Sequence, residues 1–548
     1  MNGYAIPAIV VVTVATVIIG AYGLRMARTT SDFLVASREV SPAWNAAAIS
    51  GEYLSAASFL GVAGLVLKQG VDVLWYPVGF AAGYLALLLF VSAPLRRSRA
   101  FTLPDFCELR LGSARLRKLA TLFVILIGWL YLVPQLQGAG LTLRTVTGGP
   151  YPVGVLLVGL VVIANVALGG MRSITFVQAF QYWLKLTALA VPIIFLVLHW
   201  QADGRPQLAP PAGQTFAHAT TVEFDHSATL VRPDGSTVDV PAHTSMAFPA
   251  GAPIPQVRGA DVSTGADWLL PGATEHGGRR DRGLFNAYSL ILATFLGTMG
   301  LPHVLVRFYT NRDGAAARRT TLVVLGLVGL FYLLPTLYGV LGRVYTPRLL
   351  MTGDTDAVVL VLPGAALPGL TGQLLGALVA AGAFAAFLST SSGLLTSVAG
   401  VLSTDLLGRG SVRDFRVYAV LAGLVPVALA LRADGLDVSQ VVGLAFAVAA
   451  SSFCPLLVLG IWWRGLTSVG AAAGVTVGGG AALAAVITTV AGPRLSGWPA
   501  VLVGQPAAWS VPLAFLVMVS VSLLTRRRVP VDVGLTMLRL HAPDPLRL

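Results

Sequence analysis

A membrane-spanning helix needs about 20 consecutive apolar residues, and thirteen stretches of this chain approach or reach that length. Only 11% of the residues are charged and the mean hydropathy is +0.78, which excludes a soluble globular protein and a disordered chain. We therefore predict an all-α polytopic membrane protein with about thirteen transmembrane helices. The stretches are Ala5–Leu24, Trp44–Leu67, Val73–Ala93, Leu119–Leu143, Pro152–Leu168, Ile174–Trp200, Phe285–Val306, Leu322–Leu341, Leu374–Val401, Phe415–Leu431, Val441–Trp462, Val469–Val490 and Ser510–Leu524.

The positive charges indicate how these spans are oriented. No positive side chain precedes the first stretch, so it is interpreted as a retained helix and not as a signal peptide. If its N-terminus lies outside, most of the 37 Lys and Arg residues fall on cytoplasmic loops, as the positive-inside rule requires. We therefore predict a multi-pass protein of the plasma (inner) membrane with a cytoplasmic C-terminus. The net charge of +13 then sets orientation and does not indicate nucleic-acid binding.

The sequence lacks the signatures of energy-coupling and catalytic sites. It has no phosphate-binding P-loop, and its three lysines are Lys68, Lys118 and Lys185. It also has no H-E-x-x-H motif and no G-x-S-x-G nucleophile motif. The two cysteines, Cys107 and Cys454, cannot form a disulfide framework or a cysteine metal cluster and are predicted to pack as small apolar residues. The chain is predicted to be a secondary transporter and not an enzyme, with a membrane sensor or an intramembrane hydrolase as the alternative classes.

Two spans carry residues that break a helix. The second contains Gly51–Gly61, in which an acid, Glu52, lies among glycine and serine at mid-membrane. A buried carboxylate there is costly and therefore functional by default. The seventh is interrupted by Gly297, Gly300 and Pro302. Broken helices in corresponding positions of two halves indicate the binding site of a transporter, because unwinding frees backbone groups to bind ions and substrate.

This pattern predicts two inverted five-helix repeats, formed by spans two to six and seven to eleven. The long polar loop between them has β-like runs at Ala228–Arg232 and Ser236–Val240 around a turn at Pro233–Gly235, and we expect an extracellular cap. The predicted segments are residues 1–42 (an extra helix and cytoplasmic loop), 43–200 (first repeat), 201–283 (extracellular loop), 284–465 (second repeat) and 466–548 (peripheral helices and cytoplasmic tail).

The ninth span offers oxygen ligands on one face. Ala386, Ser389 and Thr390 are three and four residues apart, so they share a face of the helix. Two hydroxyl oxygens and a carbonyl suit a hard monovalent cation. The alternative is that both hydroxyls bond to carbonyls of their own helix, which is common.

Together, these segments resemble the sodium:solute symporter family. The Gly-Gly-Met-Arg-Ser stretch at Gly169–Ser173, with Gln178 and Gln181 after it, resembles a cytoplasmic signature of that family. Gly51–Gly61 and Gly297–Thr310 resemble the branch that transports acetate and other short-chain monocarboxylates, in which the acid of the second span is usually Asp. The resemblance implies Na⁺ as coupling ion and an alternating-access mechanism. It also implies a sodium site made of the carbonyls of Gly51, Leu54 and Ala386 and the hydroxyls of Ser389 and Thr390.

The remaining candidate residues follow from the same two broken helices. The expected partners are a small carboxylate substrate and the lipid bilayer. Two alternatives stay open: another solute such as proline, a sugar or pantothenate, and coupling to H⁺ through Glu52. The candidate substrate contacts are Tyr53, Ser58, Tyr131, Gln135, Gln137, Phe295, Thr298 and Met299. The candidate coupling or gating residues are Glu52, Gly297, Gly300, Pro302, His303 and Arg307, of which His303 and Arg307 are expected to make gate or loop contacts near the cytoplasmic end.

Overall fold

The computed structural model of this protein is built almost entirely of helices. It describes residues 2–24, 40–208, 215–216, 219–224, 228–232, 234–241, 244–257, 268–269, 280–406, 411–432, 438–491, 495 and 497–542. The helices are α1 (Ala5–Leu24), α2 (Pro42–Tyr53), α3 (Val62–Gln69), α4 (Trp75–Ala86), α5 (Ser92–Arg97), α6 (Leu103–Leu111), α7 (Ala114–Thr147), α8 (Tyr151–Ala202), α9 (Arg280–Gly300), α10 (Pro302–Val306), α11 (Gly314–Tyr345), α12 (Leu349–Thr352), α13 (Val358–Ala366), α14 (Gly369–Val401), α15 (Val412–Ala430), α16 (Val438–Trp462), α17 (Ser468–Gly474), α18 (Gly480–Ala491), α19 (Trp498–Gly504), α20 (Ala507–Leu524) and α21 (Val533–His541).

The predicted spans lie on these helices. The first coincides with α1, and the fifth and sixth both fall within the single helix α8, which has 52 residues. By length and composition, ten segments of the described residues are able to cross a membrane. The fold class is confirmed, whereas the count of thirteen spans stays a prediction.

Both predicted helix breaks are present. Helix α2 ends at Tyr53, Leu54 leaves helical geometry with ψ near 88°, and a π-helical turn at Ala57–Gly61 precedes α3. The second break is at Leu301, whose extended backbone separates α9 from α10, and Pro302 occupies the first turn of α10 as proline prefers.

The two broken helices have equivalent neighbours. The first, α2 with α3, packs against α11 and α8, and the second, α9, packs against α4 and α16. Each therefore contacts the second helix of the other predicted repeat and the last helix of its own. This exchange is what an inverted repeat requires, and the residue boundaries of the repeats stay a prediction.

Short polar caps begin the helices that follow connecting loops. The Ser113 hydroxyl accepts a hydrogen bond from the backbone N–H of Leu116, and the Asp313 carboxylate accepts one from Ala316. Thr102, Ser411 and Thr467 act in the same way. Such caps satisfy N–H groups that have no partner inside the helix.

The loop between the predicted repeats forms two small antiparallel sheets. Strand β1 (Thr220–Phe224) pairs with β4 (Thr244–Phe248), and β2 (Ala228–Val231) pairs with β3 (Thr237–Val240) and β5 (Gln256–Val257). The two predicted β runs are therefore confirmed, and Pro233 of the predicted turn lies outside the described residues.

The loop is anchored by its own apolar cluster and by one tryptophan. Strand side chains pack around Met351 of α12. Trp268 donates a hydrogen bond from Nε1 to the carbonyl of Val66 at 2.8 Å, and the guanidinium of Arg343 lies over its ring. In the turn, hydrogen bonds from Ser236 lower the pKa of the exposed Asp234 carboxyl below its usual value.

Candidate substrate and cation site at the helix breaks

The ammonium group of Lys185 lies where the first helix breaks. Lys185 comes from α8 and is completely buried. Its Nζ donates hydrogen bonds to the carbonyl of Gly51, to the carbonyl of Leu54 at 2.8 Å and to the hydroxyl of Ser389 on α14. An ammonium has three N–H donors, and three oxygens accept them here.

The other two predicted sodium ligands are also close to this point. The Thr390 hydroxyl donates to the carbonyl of Glu52 at 2.6 Å. The carbonyl of Ala386 accepts a weaker hydrogen bond, at 3.1 Å, from the hydroxyl of Ser389, which also donates to Gly51 at 2.7 Å. The sequence therefore predicted a real cluster of oxygen atoms between α2 and α14.

This cluster does not fit a sodium ion while Lys185 is bound to it. Three of the five predicted ligand atoms already accept N–H groups of Lys185. Two unit positive charges about 3 Å apart repel by roughly 5 kcal/mol at an effective dielectric constant of 20. A sodium ion at these oxygens would require the ammonium to leave them.

A buried ion pair joins the two broken helices. The guanidinium of Arg307, next to α10, donates from Nε to Glu52 Oε2 at 2.6 Å, and both side chains are 1% exposed. Its other nitrogens donate to Thr175 and Gln178 of α8. Arg307 was expected to make gate or loop contacts near the cytoplasmic end of the seventh span; the structure shows it buried and paired with Glu52, and its role in gating stays a prediction.

A glycine makes room for this carboxylate. A Cβ atom at Gly393 of α14 would collide with the carboxylate of Glu52. Gln178 also connects the ion pair to the Lys185 cluster, because its amide donates to the carbonyl of Ser389 at 2.8 Å. Lys185, Glu52 and Arg307 therefore belong to one buried network with two cations and one carboxylate.

Aromatic rings also lie near the first helix break. The Tyr53 hydroxyl lies 2.9 Å from that of Thr298 on α9, so the two predicted substrate residues are in contact. Ser58 forms a hydrogen bond of 2.8 Å with Tyr332 of α11. Further ring contacts add Phe80, Tyr84, Tyr131 and Phe446 to this aromatic cluster.

Two buried side chains of the aromatic cluster have polar atoms with no hydrogen-bond partner among the described residues. They are the hydroxyl of Tyr84 and both ring nitrogens of His303. Tyr84 lies 4.7 Å from Tyr53 and His303 lies 5.3 Å from Tyr131, measured between ring centroids. Because buried polar groups are normally paired, these atoms are available to a polar ligand.

The remaining predicted residues have mainly structural contacts. Gln135 accepts the N–H of Ala56 at 2.8 Å and so holds the chain where it leaves helix α2. Phe295, Met299 and Gln137 are buried or partly buried near the same helices. Gly297 and Gly300 let α9 approach α16, since a Cβ atom at either would contact the carbonyls of Phe446 or Ala449.

Sequence reasoning predicted Tyr131 but missed Lys185 and the aromatic residues Phe80, Tyr84, Tyr332 and Phe446. Lys185 had a usable signal, because a lone lysine inside an apolar span is as costly as a lone carboxylate and is therefore functional by default. Tyr84, Tyr332 and Phe446 gave no comparable signal, since buried aromatic residues are usually core.

Comparison with known proteins shows what this chain is similar to. The sequence profile described as the sodium:solute symporter family matches residues 33–250 and 256–478. A monocarboxylic acid transporter of Corynebacterium glutamicum is 30% identical over 532 residues, covering 90% of this chain and 87% of the relative. An uncharacterized symporter of Bacillus subtilis, YwcA, is 29% identical over 517 residues, covering 91% and 90%.

Solved structures with low sequence identity share the fold. A Na⁺-coupled sialic acid symporter, in a substrate-bound outward-open state, superposes with a TM-score of 0.64 at 15% identity, covering 94% of this chain and 97% of that chain. A manganese transporter of Eremococcus coleocola gives a TM-score of 0.50 at 14% identity, covering 89% and 95%.

Proposed function

Because this chain belongs to the sodium:solute symporter family, we propose that it is a secondary active symporter that imports acetate or another short-chain monocarboxylate together with a cation. Solute symport follows from the family, and the family and its structural neighbours are transporters and not enzymes. The observation that carries the substrate class is the similarity to a monocarboxylic acid transporter over about nine tenths of both chains.

The charges near the site support an anionic substrate. Lys185 and Arg307 provide two buried cations, and Glu52 provides one carboxylate. At their ordinary ionisation this network has one uncompensated positive charge. A monocarboxylate would bring the opposite charge into a region of low dielectric constant, where such attraction is strongest.

The unpartnered polar atoms support a carboxylate group. The Tyr84 hydroxyl and a ring N–H of His303 are donors without acceptors among the described residues. A carboxylate accepts hydrogen bonds on both oxygens. Tyr53, Phe80 and Phe446 supply apolar surface beside these donors, which suits a short acyl chain.

We propose that transport occurs by alternating access at the two breaks. Substrate would bind between the first broken helix and α9, where Tyr53 and Thr298 are already in contact. The ion pair between Glu52 and Arg307 would hold the two broken helices together. Opening toward one side of the membrane would separate contacts at one end while those at the other end persist.

Two coupling ions are candidates. Na⁺ is the expectation from the family name and from the structural neighbour that is a Na⁺-coupled symporter. H⁺ is the second candidate, and it is favoured by the contacts of Lys185 with three of the five predicted sodium ligands. With either ion, an inside-negative membrane potential adds about 2.3 kcal/mol per 100 mV to the driving force for each net positive charge that is imported.

The substrate class is tested by counterflow, which needs no ion gradient. Purified protein in liposomes loaded with unlabelled acetate should accumulate labelled acetate transiently. Propionate and pyruvate should compete, whereas proline, glucose and pantothenate should not. Counterflow that only proline, glucose or pantothenate supports would contradict the monocarboxylate proposal and retain the symporter fold.

A single hydroxyl provides a sharper test of the site. Tyr84→Phe removes a buried hydroxyl that has no hydrogen-bond partner among the described residues, so the fold should be as stable or more stable. If that hydroxyl binds the carboxylate, the apparent affinity for acetate should fall about tenfold or more. Tyr345→Phe is the matched control, because its hydroxyl bonds to Asp203 at an exposed position. Unchanged affinity in Tyr84→Phe would remove this residue from the substrate site.

A further inference from the structure

Lys185 is placed as a sodium ion would be placed. It bridges the break after α2 and the hydroxyl-bearing face of α14, the two elements expected to share the ion. The oxygens that it contacts are two backbone carbonyls and one hydroxyl, which are also oxygen ligands suited to a hard monovalent cation. Its side chain is completely buried, so the contacts are internal to the bundle.

The surroundings of Lys185 contain one carboxylate and one other cation. Glu52 of α2 interacts with it electrostatically, and Arg307 forms an ion pair with the same carboxylate. Helix α14 brings the Ser389 hydroxyl, and α1, which also packs on α8, has no charged residue. On α11, the Tyr338 hydroxyl donates to the carbonyl of Leu189, one turn beyond Lys185.

We infer that the ammonium of Lys185 is a built-in substitute for the sodium ion, so that the chain neither binds nor requires Na⁺ at this position. The positive charge that ties the broken helix to α14 is supplied by α8 and not by the medium. Each N–H of the ammonium has its own oxygen acceptor, which leaves no ligand set for a second cation at the same place.

Shortening Lys185 should make transport depend on Na⁺. Lys185→Ala removes the ammonium and leaves Gly51, Leu54 and Ser389 with free oxygen ligands at the vacated position. A sodium ion from solution should then restore the missing charge. The variant should therefore lose transport without Na⁺ and recover it with Na⁺, whereas the wild-type protein should transport equally well with and without Na⁺.

The first experiment measures ²²Na⁺ binding to the purified full chain by scintillation proximity, which needs no transport substrate. Binding that depends on Ser389 should be absent from the wild type, present in Lys185→Ala and lost again in the double variant Lys185→Ala with Ser389→Ala. Lys118→Ala is the matched control, because Lys118 is an exposed lysine at the start of α7. Size-exclusion profiles and thermal unfolding confirm that each variant is folded.

The second experiment measures acetate uptake in media in which choline replaces Na⁺, and it alone rests on the proposed function. The wild type and Lys118→Ala should show a ratio of uptake with and without Na⁺ near one, and Lys185→Ala a ratio of about ten. Ser389-dependent ²²Na⁺ binding by the wild type would overturn the inference. So would a Lys185→Ala variant that neither binds Na⁺ nor changes its uptake. If no protein transports acetate, the substrate proposal fails while the binding result still decides the role of Lys185.

Discussion

Replacing Glu52 with glutamine tests whether the buried charges hold the two broken helices together. The Glu52→Gln side chain keeps nearly the same shape and can still accept a hydrogen bond from Arg307, so the change removes charge more than volume. Glu52 and Arg307 are each 1% exposed and 2.6 Å apart. Without the carboxylate, Arg307 and Lys185 become two buried cations with no counter-ion among their described contacts.

The expected loss of unfolding free energy in Glu52→Gln is large, because the remaining positive charges stay buried. Removing one partner of a buried ion pair typically costs about 3–5 kcal/mol. The matched control is Glu108→Gln, whose carboxylate lies 2.7 Å from Arg117 with side-chain exposures of 35% and 26%. A partly exposed pair of this kind contributes roughly 0–1 kcal/mol. The assay is reversible unfolding by denaturant in mixed micelles.

A double-mutant cycle separates charge pairing from local disruption. Arg307→Gln alone should also lower the free energy of unfolding. The double variant Glu52→Gln with Arg307→Gln should lose less unfolding free energy than the sum of the two single losses. The reasoning is refuted if Glu52→Gln costs no more than Glu108→Gln, or if the two single effects simply add.

Two further changes probe the space around the site and the loop above it. Gly393→Ala places a methyl group against the Glu52 carboxylate and should abolish acetate uptake. Gly400→Ala is the control, because its methyl group meets no atom within 4 Å, and it should leave uptake intact. Equal uptake by the two variants would contradict this packing. Trp268→Ala removes the hydrogen bond to Val66 and the ring under Arg343. It should lower the free energy of unfolding by about 1–2 kcal/mol in the same assay. An unchanged free energy of unfolding would show that the loop is not anchored there.

The positions of the helices and of both breaks could be predicted from the sequence because the signals are local. An apolar run of membrane length is helical, and the glycines, serines and proline at Gly51–Gly61 and Gly297–Pro302 mark where it is interrupted. The shared face of Ser389 and Thr390 is likewise a property of one helix. The structure brings both hydroxyls to carbonyls of α2, one residue apart, and not to the aromatic cluster.

The partners of these local features could not be predicted, because they come from distant parts of the chain. Glu52 and Arg307 are 255 residues apart, and Lys185 is 204 residues from Ser389. Periodicity says which face of a helix is polar but not which other helix meets it. The occupant of the predicted cation cluster was therefore assigned from family resemblance, although a lysine in the sixth span was visible in the sequence.

The proposed import of a monocarboxylate together with a cation is tested most directly by gradient-driven uptake of labelled acetate by the wild-type protein in sealed proteoliposomes. One set has only an inward Na⁺ gradient, one has only an inward H⁺ gradient, and protein-free liposomes correct for diffusion of acetic acid. We predict concentrative uptake with the H⁺ gradient, competed by propionate and pyruvate, and no added effect of Na⁺. Concentrative uptake that requires Na⁺ and ignores the H⁺ gradient would contradict coupling to H⁺.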